Sequence, residues 1–256
     1  DPSNVASVRQ VSTISVGDNP RNIFVSGKYA YTANTNAGTI SIVDVSNPLY
    51  PKQISTLLTG NNPRAIYVAG RYAYVANYGD SNLAVIDVSI PSSPALLGTV
   101  TVGSGPQSIY VSGRYAYVTN LNSASISVVD ISSPLNPVQV ATTSVGIEPY
   151  AITVSGRYAY VANQSSNSIS VVDVSNPSLP IQIATAAVGA NPAGIAVSGR
   201  YAYVSHFSSS YISVVDISNP ASPAEVGQAA TVGGSSQNIF VSGRYAYVAN
   251  QGSDNI

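Results

Sequence analysis

Six equivalent positions in a repeating unit change identity from copy to copy, and they are the residues best suited to chemistry. Each follows a proline, or Ser236 in one copy, and they read Arg21, Arg64, Gln107, Tyr150, Ala193 and Gln237. Arg21 and Arg64 lie in adjacent units, so their guanidiniums could clamp an anionic group with permanently charged, planar forks. Gln107, Tyr150 and Gln237 would add neutral hydrogen bonds. The competing explanation is unselected divergence of exposed loops.

His206, the one histidine, stands where the other copies end their second strand with Asn34, Asn77, Asn120, Asn163 and Asn250. A single histidine excludes a histidine-cluster metal site and leaves imidazole acid–base chemistry to this residue alone. Glu148 lies one unit from it and Asp80 about three, so of these two only Glu148 could act as its partner. A surface histidine standing in for asparagine is the simpler reading, although His206 remains with the candidate ligand-binding residues. Tyr78, Phe207 and Tyr211 lie in or beside the same loops. The chain contains no Asp-x-Asp-x-Asp-Gly calcium loop, and Asn163-Gln164-Ser165 matches a glycosylation sequon. No catalytic residue, metal or cofactor is therefore assigned.

The elements that must hold these residues follow from the repeat. Gly27, Gly70, Gly113, Gly156, Gly199 and Gly243 recur at spacings of 43, 43, 43, 43 and 44. That period suits four short strands per unit, as in a β-propeller blade. Within 21–60, Ile23-Phe24-Val25 is apolar on both faces, as for an innermost strand between neighbouring blades. Gly27-Lys28 carries the type II′ hairpin signature, with glycine first. Tyr29 to Ala33 alternates aromatic with small, Thr39 to Val43 alternates again, and Gln53 to Leu58 forms the outer strand. Proline pairs such as Pro48/Pro51 and Pro91/Pro94 mark where the fourth strand begins and protect the sheet edge. The single 44-residue spacing predicts a β-bulge between Pro223 and Gly233, in the outer strand of the fifth blade.

The expected fold is an all-β, six-bladed β-propeller with four antiparallel strands per blade. Its blades are 18–60, 61–103, 104–146, 147–189 and 190–233, with 234–256 plus 1–17 as the sixth, in one domain spanning 1–256. Asp1 to Arg21 aligns without a gap on Asp44 to Arg64, and Tyr245 to Ile256 aligns with Tyr29 to Ile40. The termini are thus expected to close the ring by sharing one composite blade.

Two charged rings belong to the end of the blades opposite the variable loops. Lys28, Arg71, Arg114, Arg157, Arg200 and Arg244 occupy one hairpin position, and Asp1, Asp44, Asp87, Asp130, Asp173 and Asp216 another. Recurring ion pairs, or aspartates bonding their own Ser-Asn turn, are the structural reading, and a charged docking ring is the functional one. Twelve of the 18 tyrosines belong to Tyr-Ala-Tyr, whose alternation points to core packing.

Composition narrows the function classes. Of the 256 residues 45% are apolar and only 8% charged, with net charge −1. The basic excess needed to bind nucleic acid is missing. No long apolar run is present, so direct membrane insertion is not expected. The sequence has no Cys and no initiator Met, which suggests a mature or excised piece with no signal peptide left to read. Low charge with abundant Ser, Asn, Thr and Tyr leans toward an extracellular protein.

These residues resemble two repeat families. Tyr117-Val118-Thr119-Asn120 resembles the YVTN-type propeller signature, with Tyr160-Val161-Ala162-Asn163 and Tyr247-Val248-Ala249-Asn250 close to it. Val171 to Pro177 (Val-Val-Asp-Val-Ser-Asn-Pro) resembles the LVIVD repeat, as do Ile42 to Pro48 and Val215 to Pro220. The resemblance covers all six copies and implies prokaryotic secreted or surface-associated propellers with no shared catalytic residues. Some related propellers are lyases with metal-bound histidines in the channel, a pattern from which the single His206 departs. The expectation is a non-catalytic, monomeric cell-surface or secreted binding module. It would take a protein or glycan ligand on the variable-loop face. The alternative is a lyase or hydrolase acting at the central channel.

Overall fold

A computed structural model describes residues 10–231 and 233–251. The first blade comprises β1 (Pro20–Ser26), β2 (Tyr29–Asn34), β3 (Thr39–Asp44) and β4 (Lys52–Leu58). The second holds β5 (Pro63–Ala69), β6 (Tyr72–Asn77), β7 (Asn82–Asp87) and β8 (Ala95–Thr101). The third holds β9 (Pro106–Ser112), β10 (Tyr115–Asn120), β11 (Ser125–Asp130) and β12 (Val138–Ser144). The fourth holds β13 (Pro149–Ser155), β14 (Tyr158–Asn163), β15 (Ser168–Asp173) and β16 (Ile181–Ala187). The fifth holds β17 (Pro192–Ser198), β18 (Tyr201–His206), β19 (Tyr211–Asp216) and β20 (Ala224–Ala230). The sixth contributes β21 (Ser236–Ser242) and β22 (Tyr245–Asn250). Each of the first five is an antiparallel meander with its strands side by side in chain order, and β21 pairs with β22. The architecture is that of a six-bladed β-propeller.

Local chemistry explains the meander. Gly27 opens the first hairpin at φ +58° while Lys28 keeps a negative φ, as a type II′ turn requires. The next blade then buries what the second and third strands present. Tyr31, Ile40 and Ile42 of the first blade pack on Ile66, Val68, Val75 and Ile86 of the second. The same contact recurs between the second and third blades, the third and fourth, and the fourth and fifth. Third strands are the most enclosed element, with Leu83, Ala84, Val85 and Ile86 of β7 all at 0% exposure. Burial between blades, which removes apolar area on both faces of a sheet, dominates the stability of this fold.

One expectation changes. A bulge does occur in the outer strand of the fifth blade, between the partners of Val214 and Val215, but β4, β8, β12 and β16 carry it at the equivalent position. It is a feature of the repeat and does not account for the extra residue. That residue falls after the strand: five positions separate Ala230 from Ser236, where four separate Ala187 from Pro192.

The composite closing blade depends on residues 1–9 and 252–256, outside the described residues. Within them, Gln10–Val16 carries no strand. Ser12 Oγ nevertheless donates to Pro48 O at 2.5 Å, as Ser55 Oγ does to Pro91 O at 2.6 Å. The segment therefore leans on the first blade as β4 leans on the second. The innermost strands β1, β5, β9, β13, β17 and β21 pack successively, but β21 does not make that contact with β1.

Candidate functional site at the channel mouth

All six variable positions sit in the same local geometry. The residue two before each adopts left-handed backbone: Asn19, Asn62, Gly105, Glu148, Asn191 and Ser235 have φ between 51° and 68°. A proline, or Ser236, then starts the innermost strand opposite the last residue of the second. The next residue has no partner in the ladder, because the register jumps from Pro20 to Asn22, from Pro63 to Ala65, and likewise in each blade. Arg21, Arg64, Gln107, Tyr150, Ala193 and Gln237 are therefore bulge residues, re-aimed by the extra backbone unit. All six line one cavity of about 690 Å³ along the central channel.

The structure brings four of them into contact. Arg21 Nη2 donates to Tyr150 Oη at 3.0 Å, joining the first blade to the fourth across the channel. Arg64 Nη1 donates to Gln107 Oε1 at 2.7 Å, and the Arg64 guanidinium lies 3.5 Å over the Tyr78 ring. Burial, with the neighbouring Arg21 charge, pulls the Arg64 pKa below its ordinary value. Its Nε is buried and meets no acceptor among the described residues. A partly desolvated cation of this kind favours an anionic partner. Tyr150 is braced edge-on by Phe207, with ring centroids 5.1 Å apart. Gln237 lines the cavity but donates to Gln251 instead of joining the cluster, and Ala193 adds no polar group.

His206 lies elsewhere. It is fully buried, contrary to the expectation of a surface histidine, and is not among the channel-lining residues. Nδ1 is 3.2 Å from Ala190 O, so it must carry the proton, which leaves Nε2 to accept from Ser213 Oγ at 2.9 Å. Its Asn counterparts hold the equivalent serines with the bond reversed: Asn34, Asn120 and Asn163 donate to Ser41, Ser127 and Ser170. Desolvation lowers the His206 pKa. Glu148 is not its partner and instead accepts from Ser165.

At the opposite end, the ion pairs and the turn bonds coexist. Arg71, Arg114, Arg157 and Arg200 pair with Asp87, Asp130, Asp173 and Asp216. Each of these aspartates also accepts a backbone N–H two residues on, as Asp87 does from Ser89. Asp44 is held below the usual carboxylate range chiefly by Ser46, with Lys28 a smaller influence. Arg244 donates to Tyr245 Oη at 3.0 Å, and Asp1 lies outside the described residues. Each of the six basic side chains rides over the tyrosine that follows it, at 5.2–5.4 Å.

One set of lining residues escaped the sequence reading. Three positions beyond each bulge, Phe24, Tyr67, Tyr110, Thr153, Ala196 and Phe240 face the channel. Phe24, Tyr67 and Tyr110 form an aromatic shelf, with ring centroids 4.6 and 5.4 Å apart. Three residues of strand put this shelf about 10 Å below the arginines. The same copy-to-copy comparison that exposed Arg21 would have found it, but inner strands that are apolar on both faces read as core.

Known proteins with similar folds include two described as lactonases. The periplasmic gluconolactonase of Pseudomonas aeruginosa superposes with TM-score 0.82 at 20% identity, covering 94% of this chain and 81% of that one. A candidate 6-phosphogluconolactonase from Bacteroides uniformis gives 0.82 at 18% identity over 93% and 80%. A Lactobacillus plantarum protein gives 0.85 at 18% over 94% and 80%. No curated protein sequence matches the chain. At these identities the likeness establishes the fold, and it corrects one expectation. Matched structures of this fold carry lactonase names, which speaks against the non-catalytic binding module expected from the sequence. In sequence, the LVIVD repeat model matches residues 17–59, 62–102, 105–143, 150–186, 191–231 and 233–254. The chain belongs to the LVIVD repeat family.

Proposed function

We propose that this protein is a hydrolase that opens a polyhydroxylated lactone bearing an anionic substituent, at the channel mouth built by Arg21, Arg64, Gln107 and Tyr150. The observation that carries the reading is the Arg21–Tyr150 hydrogen bond across the channel, beside a partly desolvated Arg64. The described lining of the cavity includes two arginines and no carboxylate, so it favours negative charge. Lactone opening generates such charge. Water adds to the carbonyl carbon, the carbonyl oxygen becomes an oxyanion, and the ring C–O bond then breaks. The ring oxygen leaves as a hydroxyl, and the new acid releases its proton to solvent. Because Arg21 donates to the Tyr150 phenol oxygen, the phenol O–H is free to point at the substrate. Tyr150 and Arg21 would stabilise the oxyanion, and preorganised donors of this kind are commonly the largest catalytic contribution. Arg64, steered by Gln107 and Tyr78, would hold the anionic substituent. Phe24, Tyr67 and Tyr110 offer a flat apolar surface to the C–H face of a sugar ring.

A location outside the cytoplasm accompanies this reading, since the Pseudomonas aeruginosa neighbour is periplasmic. The test is a pH-stat assay of gluconolactone and 6-phosphogluconolactone. The reading requires acid release above the buffer rate, reduced in Arg64→Ala. Rates equal to buffer for both lactones would refute it.

A further inference from the structure

The cavity beneath the channel mouth is larger and deeper than one lactone ring requires. Its volume of about 690 Å³ lies in the range that encloses a drug-sized ligand, and its lining runs from Arg21 at the mouth down to Val197 and Val241. Arg21 and Tyr150, which would hold the lactone carbonyl, sit at the mouth, whereas the Phe24–Tyr67–Tyr110 shelf lies about 10 Å below. A single six-membered ring at the mouth, with its anionic substituent on Arg64, stops short of that shelf.

The shelf occupies one side of the channel only. Opposite the second tyrosine of each Tyr-Ala-Tyr, the first three blades place Phe24, Tyr67 and Tyr110, but the fourth and fifth place Thr153 and Ala196. The fourth blade stands across the channel from the first, and the fifth from the second, so the small side chains face the rings over a slot. The rings are tilted to one another by 45° and 54°, which makes the shelf a curved wall suited to the C–H faces of a puckered sugar.

Polar groups between the mouth and the shelf favour a hydroxylated occupant. The Asn22 and Asn238 side-chain oxygens accept from the backbone N–H of Ile66 and Ile239, at 3.0 and 2.8 Å. Both residues line the cavity, and their amide N–H groups have no acceptor among the described residues. Burial, with Tyr110 beside it, pushes the Tyr67 phenol up, so it stays a neutral donor. Sugar hydroxyls give such donors acceptors, where a hydrocarbon body would leave them unpaired.

We propose that the slot is a second sugar subsite and, resting on the lactone-opening reading above, that the substrate is a lactone ending a chain of two or more sugars. The lactone lies at the mouth and the next ring lies on the shelf.

The experiment compares gluconolactone with cellobionolactone and maltobionolactone, which carry one more glucose in β and α linkage and no added charge. A pH-stat gives kcat/KM for the parent and for Thr153→Tyr. Calorimetry gives Kd for gluconate, cellobionate and maltobionate, which have no ring ester left to open. Thr153→Tyr fills the slot from the far wall with the side chain that Tyr67 and Tyr110 place at the same register position, and it leaves the shelf intact. The expected result is a preference of about tenfold for at least one two-ring compound, in kcat/KM and in Kd, falling below about threefold in the variant. Preferential binding of a two-ring acid, weakened in Thr153→Tyr, with neither lactone class hydrolysed, would support the subsite and refute the lactone-opening reading. Hydrolysis with equal kcat/KM and equal Kd for one and two rings would keep that reading and overturn the subsite. A preference that Thr153→Tyr leaves unchanged would overturn it as well.

Discussion

Arg21 and Tyr150, residues of blades on opposite sides of the channel, are joined by a hydrogen bond of 3.0 Å at its mouth. Each is a bulge residue, so both side chains reach inward from backbone that makes no ladder bond at that point. The bond holds the phenol oxygen at the cavity and leaves its hydroxyl proton free to donate elsewhere. Tyr150→Phe removes that proton and the acceptor for Arg21 but keeps the ring against Phe207. Loss of one oxyanion donor predicts a fall in kcat of about 100-fold with KM little changed. Steady-state kinetics on 6-phosphogluconolactone provide the check.

His206→Asn should give a folded protein with a different pH response. Burial lowers the folded-state pKa of His206 below its unfolded value, so the unfolded chain binds more protons in that range. The histidine's contribution is complete above about pH 6.5 and is lost as the pH falls toward the depressed folded value. Asparagine, which the five sibling blades place at the end of their second strands, does not titrate. Tm measured from pH 8 to 5 should decline in the parent and stay flatter in the variant.

A second acid transition belongs to the ion-pair ring. Hydrogen bonds from arginine, joined by bonds to the following serine, hold Asp87, Asp130, Asp173 and Asp216 at about 2. Their stabilisation is present above the unfolded value near 4 and is lost as the pH drops through about 2. These pairs are exposed, so added salt should shrink the effect. Unfolding scans between pH 5 and 2 at low and high ionic strength would reveal it.

Gly113→Ala isolates backbone conformation from packing. Gly113 has φ +58°, and a Cβ there would meet nothing within 4 Å. The variant should lose about 1 kcal/mol, the cost of placing an L side chain in left-handed backbone. Chemical denaturation would show a lower midpoint at constant slope.

The sequence displays this architecture because every blade repeats one solution. Gly27, the Tyr29/Tyr31 alternation and the Pro48/Pro51 pair each state a local rule that the structure obeys. Closure rests on residues 1–9 and 252–256, outside those described. Ser12 occupies the position of Ser55 and bonds the first blade, and Gln10–Val16 carries no strand. The site was half legible. Copy-to-copy variation picks out Arg21, Arg64, Gln107 and Tyr150, but not that a bulge re-aims them. It gives no warning that His206 is buried, because a strand-end loop and a buried hydrogen-bonding position look alike in sequence. The Phe24–Tyr67–Tyr110 shelf was hidden by its own apolarity.

The most direct test of the channel-mouth reading is the ratio of kcat/KM for 6-phosphogluconolactone over gluconolactone, in the parent and in Arg21→Ala/Arg64→Ala. Two charge-assisted contacts predict that the parent favours the phosphorylated lactone and that the double variant loses at least about tenfold of that preference. An unchanged ratio, with both lactones still hydrolysed, would contradict the assignment of the arginines and of the channel mouth as the site.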